Sequence, residues 1–113
     1  MFVVVYEFEV TPGSEDLFRQ AWLDVTKAIY RYCGSYGSRL HRSDEPQRFI
    51  GYAQWPSKAQ WQKNYIATDA KEVQAREKMR ACLIQSSVLY QLEVMDDYLQ
   101  CELSNEFASS LTP

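Results

Sequence analysis

The spacing of apolar residues along this chain switches between the two periods of regular secondary structure. Residues 2–10 are mostly β-branched or aromatic, and charges enter at alternate positions, which is the two-residue period of a strand. After a break at residues 11–13, apolar residues from Leu17 to Tyr32 recur at steps of one, three and four, which predicts a long amphipathic helix. A strand followed by such a helix restricts the chain to folds in which helices pack on a sheet.

Capping and turn residues predict where the next elements begin and end. Ser14 is the predicted N-cap of the first helix, and Gly34 is its predicted stop. Residues 35–43 and 48–55 are predicted strands, joined by a turn around Pro46, which cannot lie in a central strand. So short a connection indicates an antiparallel hairpin.

A second helical region and a last strand follow the hairpin. Ser57 and Gln60 have the spacing of a capping box, and Asp69 is the predicted N-cap of a longer helix that continues to about Ser86. Residues 88–95 are the predicted last strand. The inner stripe of the longer helix is predicted to be Ala75, Met79, Cys82 and Leu83.

The resulting order, β-α-β-β-α-β, predicts an α+β domain of the ferredoxin-like class over residues 1–98, with a four-stranded antiparallel sheet. The first strand is apolar on both faces, with Tyr6 and Phe8 on one side and Val3 and Val5 on the other. Helices cover only one face, so the other face predicts a homodimer that pairs through the sheet. The tail at residues 99–113 has no strong period, and packing on a partner subunit and a loose tail stay open alternatives.

Composition excludes several classes of function. The net charge is -3 and no basic block occurs, so neither nucleic acid nor an acidic membrane surface is expected as a partner. No stretch approaches the roughly 20 apolar residues that span a bilayer. The three cysteines are widely spaced and odd in number, which favours reduced thiols in a cytoplasmic protein. His41, the only histidine, has no neighbour at ligand spacing, so no metal site is expected.

The third predicted strand carries the clearest indication of a pocket. Its inward face has two small residues, Gly51 and Ala53, between the aromatic residues Phe49 and Trp55. Such a hollow can admit a ligand, although an aromatic side chain from a helix, such as Trp22 or Trp61, could equally fill it. The candidate lining residues of the ligand pocket are Tyr6, Trp22, Phe49, Gly51, Ala53, Trp55, Trp61 and Tyr65. A plain aromatic core is the alternative interpretation of this set.

His41 could act as a general base, since the usual pKa of histidine suits that role. It lies between Arg39 and Arg42, however, in what is predicted to be the polar end of a hairpin. A solvated surface residue is therefore the alternative that we favour for His41.

The chain resembles the antibiotic biosynthesis monooxygenase superfamily of dimeric α+β barrels. The resemblance is carried by Val-Thr-Pro-Gly at 10–13 before Ala21-Trp22, by residues 34–42, and by residues 51–57 with Trp61. It implies a pocket between the sheet and the helices of each subunit, and dimers that pair sheet against sheet.

Two catalytic types within that superfamily give different expectations. The quinone-forming members need no cofactor and use Asn, Trp, Tyr and Arg; Trp55 matches their Trp, whereas Gly51 and Trp61 stand where Asn and Tyr are expected. The haem-degrading members use Asn, Trp and a helical His, and here Tyr6 stands at the Asn position and no His follows Trp61.

The resemblance therefore implies a cofactor-independent monooxygenase that oxidises a small, electron-rich phenol or enol. The candidate catalytic residues are Tyr6, Trp55, Trp61 and His41. A non-catalytic dimer that binds a small aromatic ligand is the alternative, and haem degradation is a distant third.

Overall fold

The computed structural model describes residues 1–99, so Cys101 and all but the first residue of the predicted tail lie outside it. The elements are β1 (Phe2–Val10), α1 (Glu15–Cys33), β2 (Gly37–Arg42), β3 (Arg48–Trp55), α2 (Lys58–Trp61), α3 (Ala70–Cys82) and β4 (Leu83–Glu93). The strands form one antiparallel sheet in the order β2-β3-β1-β4. This arrangement confirms the predicted ferredoxin-like α+β class.

The start of α1 differs from the prediction. Ser14 occupies the predicted N-cap position, but its side chain makes no capping hydrogen bond. Instead, the backbone N–H of Gly13 donates to the Glu15 carboxylate at 3.0 and 3.2 Å. The backbone N–H groups of Glu15 and Gly13 lower the pKa of Glu15, because they stabilise its charged form. At the other end, Gly34 has a φ of 77°, as a left-handed helix stop requires.

The junction of α3 and β4 also corrects the prediction. The helix ends at Cys82 and the strand begins at Leu83, so the predicted helix was too long and the predicted strand started too late. The cause is the length of β1, whose last residues, Glu9 and Val10, pair with Gln85 and Leu83. Ladder hydrogen bonds along that edge outweigh the helical pattern of the local sequence.

The buried side chains between the sheet and the helices form two neighbouring clusters. One consists of Phe8, Val10, Phe18, Phe49 and Cys82. The other consists of Phe2, Val4, Ala53 and Trp55. Along β3, buried and half-buried residues alternate strictly, and the predicted inward residues are the buried ones. The two-residue period of β3 therefore correctly predicted which face meets the helices.

The second face of the sheet is not covered by any described helix. Cross-strand pairing places Val3 opposite Leu92 and Val5 opposite Tyr90 on this face. Leu92 is 45% exposed and Tyr90 is 61% exposed. We call this surface the open face. None of the helices in residues 1–99 is both long enough and apolar enough to cross a membrane.

The open face also carries charges. Arg48 donates to the carboxylate of Glu7 on the adjacent strand at 2.6 Å and contacts Glu45 in the preceding turn. The negative charges of Glu45 and Glu7 raise the pKa of Arg48 above its usual value. This ion pair links the start of β3 to the neighbouring strand β1.

We expect Gly51→Val to lower the free energy of unfolding by about 1–3 kcal/mol, because the space beside Gly51 is filled. A Cβ atom at Gly51 would lie 3.0 Å from Phe8 Cε2, and Phe8 is itself held in the core. Gly51→Ala is the matched control and should lose less stability. Chemical denaturation of the three proteins measures the effect. Equal or higher stability of the valine variant would show that this space is open.

Candidate functional site

A cavity of about 310 Å³ opens between the sheet, the last turns of α1, and the chain from α2 to α3. Five of the lining residues are aromatic, and the charged ones among residues 1–99 are the cations Lys63 and Arg76. The lining residues are Tyr6, Ile29, Tyr32, Cys33, Trp55, Gln60, Trp61, Lys63, Asn64, Tyr65 and Arg76. Aromatic walls with a few polar groups are typical of sites for small organic molecules.

Tyr6 brings a hydroxyl group to the inner wall of this cavity. The indole Nε1–H of Trp61 donates to Tyr6 Oη at 2.8 Å. Burial raises the pKa of Tyr6, and the hydrogen bond from Trp61 only partly opposes that effect. Among residues 1–99, no acceptor for the Tyr6 hydroxyl proton is present, so the hydroxyl can donate to a ligand.

The short helix α2 holds Trp61 in place. Ser57 Oγ accepts from the backbone N–H of Gln60 at 3.1 Å, which confirms Ser57 as the N-cap. In a full capping box the Gln60 side chain would also accept a hydrogen bond from the backbone N–H of Ser57, and here it does not. It donates instead to the carbonyl of Cys33 at 2.8 Å, where α1 ends and leaves that oxygen free. Gln60 therefore fixes α2, and with it Trp61, against the end of α1.

Trp55 contributes an unusual buried group beside the cavity. The side chain is 6% exposed, and its Nε1–H has no hydrogen-bond partner among the described residues. An unpaired buried donor costs about 1–3 kcal/mol, so any rearrangement that brings an acceptor to it is favourable. Such groups are uncommon in native proteins.

The opposite wall depends on a buried carboxylate, that of Glu72 on α3, which is 3% exposed. Tyr65 Oη donates to Glu72 Oε2 at 2.9 Å, and Arg76 Nη2 donates to Glu72 Oε1 at 3.0 Å. The Tyr65 ring also stacks on Tyr32 of α1, with centroids 6.3 Å apart and an angle of 8° between the planes. Desolvation, followed by the hydrogen bond to Glu72 and its charge, raises the pKa of Tyr65 to about 12.

The structure brings together four of the eight residues predicted to line a pocket, namely Tyr6, Trp55, Trp61 and Tyr65. The other four lie elsewhere. Phe49 and Ala53 are in the core clusters, and Trp22 faces a groove between α1 and β2. Gly51 lies against the ring of Phe8, so a residue of the neighbouring strand fills the predicted hollow.

His41 lies away from this cavity. Its register partner is Ile50, which places its side chain on the open face, and its Nδ1 lies 3.2 Å from the Ile50 carbonyl oxygen. No group of three potential metal ligands occurs among residues 1–99. The sequence interpretation missed Glu72 and Arg76, although their spacing of four residues is that of a helical ion pair.

Comparison with known proteins gives the family. The sequence profile of the antibiotic biosynthesis monooxygenases matches residues 1–76. No curated protein matches the sequence.

Several solved structures share the fold. A protein from Bordetella bronchiseptica classed with the antibiotic biosynthesis monooxygenases is 22% identical, with a TM-score of 0.68; the match covers 83% of this chain and 96% of that one. SnoaB from Streptomyces nogalater, a cofactor-independent oxygenase, is 15% identical, with a TM-score of 0.67 and coverage of 88% and 97%. At these identities the structures show the fold alone, whereas the profile covers most of the chain. The chain belongs to the antibiotic biosynthesis monooxygenase family.

Proposed function

We propose that this protein is a cofactor-independent monooxygenase that oxidises a small, electron-rich phenol or enol in the aromatic cavity. The observation that carries the proposal is the Tyr6 hydroxyl, which is held by Trp61 and has no described acceptor for its own proton. The oxygenase activity of SnoaB, which shares the fold, supports the same class of reaction.

The cavity suits a flat aromatic ligand. A volume of about 310 Å³ lies at the lower end of the range typical of small-molecule sites. The rings of Tyr32, Trp55 and Trp61 offer surfaces for stacking, and burial of an aromatic ligand against them supplies binding energy. Lys63 favours a ligand that carries or develops negative charge, whereas the charge of Arg76 is paired with that of Glu72.

The chemistry begins with the anion of the bound phenol or enol. Tyr6 can donate its proton in a hydrogen bond to the anionic oxygen, and Trp61 strengthens that donor by donating to it in turn. Electron density from the anion then passes to dioxygen, so the protein supplies desolvation and orientation.

The overall reaction balances without a further reductant. One oxygen atom of dioxygen becomes the carbonyl oxygen of a quinone. The other leaves as water, together with two hydrogen atoms from the substrate. The electrons that reduce dioxygen come from the substrate, which is oxidised as it loses them.

A non-catalytic ligand-binding protein is the second candidate. Gly51 and Trp61 stand where the resemblance to quinone-forming members implies Asn and Tyr, so two polar groups of that set are replaced. Under this alternative the same cavity would bind an aromatic ligand and leave it unchanged.

The open face supports the proposal that the protein is a homodimer paired through its sheet. Tyr90 and Leu92 are exposed there beside Val5 and the well-buried Val3. An apolar sheet surface of this kind is stabilised when a second copy covers it. The charged pair of Glu7 and Arg48 lies on the same face and can contribute to the specificity of pairing.

Tyr90→Asp should convert the protein to a monomer, because it places an unpaired charge in the proposed interface. Light scattering should give twice the 13.2 kDa chain mass for the wild type and the single chain mass for the variant. Tyr30→Asp is the matched control, since Tyr30 is 62% exposed on α1, away from the open face. A monomeric wild type contradicts the proposed dimer.

Tyr6→Phe should reduce the rate of quinone formation by about 100-fold, because the anion loses its hydrogen-bond donor. A naphthalenediol with one hydroxyl group on each ring is a suitable probe, since its quinone absorbs visible light. Tyr36→Phe, which removes an exposed hydroxyl outside the cavity, is the control and should keep the wild-type rate. If the probe binds in the cavity without being oxidised, the non-catalytic alternative is correct.

A further inference from the structure

The proposed reaction requires a base, and the lining of the cavity does not supply an obvious one. Among the described residues that line it, none is an aspartate, a glutamate or a histidine. The carboxylate of Glu72 lies behind two lining residues, Tyr65 and Arg76, and is hydrogen-bonded to both. The proton of the substrate must therefore reach Glu72 through another group or leave by way of solvent.

Tyr65 has the geometry of such a group. Its hydroxyl donates to Glu72 Oε2 at 2.9 Å, so its own proton is already directed to the carboxylate. The lone pairs of its oxygen remain able to accept a hydrogen bond from a ligand in the cavity. The stack on Tyr32 and the hydrogen bond to Glu72 together fix Tyr65, which lies in the irregular segment between α2 and α3.

We propose that Tyr65 and Glu72 form a proton relay that deprotonates the substrate, an inference that rests on the proposed function. The substrate O–H bond breaks and its proton bonds to Tyr65 Oη, while the original Tyr65 proton moves to Glu72 Oε2. The electron pair stays on the substrate oxygen. The step leaves a substrate anion, a neutral Tyr65 and a neutral Glu72, and no electron changes centre.

Arg76 couples this transfer to stabilisation of the anion. In the resting site its guanidinium group contacts Glu72 Oε1, and the two charges offset each other. When Glu72 becomes neutral, the positive charge of Arg76 is no longer balanced by that carboxylate. It then acts on the new negative charge in the cavity that Arg76 also lines. The proton on Glu72 later leaves with the water formed from the second oxygen atom.

The other charged and titratable groups around Glu72 lie on α1, on α3 and at Asp69, the N-cap of α3. Cys33 and Tyr32 of α1 lie on the cavity side, where burial raises the pKa of the Cys33 thiol. On the outer side, Glu72 borders a groove between α1 and α3 whose charged residues are Asp24, Lys27, Arg31, Asp69, Lys71 and Lys78. Cations outnumber the other acids in this groove. The high pKa of Tyr65 keeps it protonated near neutral pH, so it passes a proton on rather than acting as a permanent anion.

The test is the pH dependence of naphthalenediol oxidation by the full chain. The wild-type rate should be nearly constant across neutral and alkaline pH, because the relay removes the substrate proton whatever the pH. In Tyr65→Phe the rate should be about 100-fold lower two pH units below the pKa of the free substrate, rise about tenfold per pH unit, and meet the wild type above that pKa. Recovery follows because the substrate then arrives as the anion.

Two further variants separate the relay from a structural role. Glu72→Gln should show the same recovery of rate at high pH. If that variant does not fold, Tyr65→Phe still tests the relay, because it leaves the Glu72–Arg76 ion pair in place. Tyr6→Phe should stay slow at every pH, since its defect is in stabilising the anion. A loss in Tyr65→Phe that is independent of pH, or no loss, overturns the relay and leaves the proposed function intact. A wild type that does not oxidise the probe overturns both.

Discussion

The central position of β1 is the constraint on which the rest of the structure depends. This strand pairs with β3 on one side and β4 on the other, so its alternation determines what each face of the sheet presents. Four of the five side chains that it turns to the helices are apolar and buried, and the fifth is Tyr6. A tyrosine in that row must find a partner for its hydroxyl group. Trp61 provides the partner, and Gln60 holds the helix that carries Trp61 against the end of α1.

The location of the cavity follows from how this row of side chains packs. Near Gly51 the ring of Phe8 fills the available space, and Phe18 and Phe49 complete that part of the core. Beyond Tyr6 the wall is formed by the Trp61 ring of α2 and by the irregular segment after it, and these do not close the space. The buried Glu72 then fixes both Tyr65 and Arg76 on the far side. The cavity therefore has a hydroxyl donor on one wall and a carboxylate-linked tyrosine on the other, the two groups on which the proposed reaction depends.

Local patterns in the sequence were sufficient for the order of the elements and for the inward face of β3, because both depend on periodicity alone. The end of α3 was missed, since the pairing of Leu83 with Val10 is a contact between distant parts of the chain. The hollow at Gly51 was predicted from the small residues of one strand, whereas its filling by Phe8 depends on the register with the next strand. Glu72 lies in a strongly polar helix, and a charged residue in such a helix is usually exposed. Only the fold brings Tyr65 to it and explains its burial.

The most direct test of the account is an oxygen-labelling experiment on the purified protein, treated with a chelator and supplied with no flavin or metal. The protein is given a naphthalenediol under dioxygen labelled with heavy oxygen, and the quinone product is analysed by mass spectrometry. The account predicts turnover with one labelled oxygen atom in the quinone and the other in water. Turnover that appears only when a flavin or a metal is added, or a quinone oxygen that comes from solvent, would contradict it.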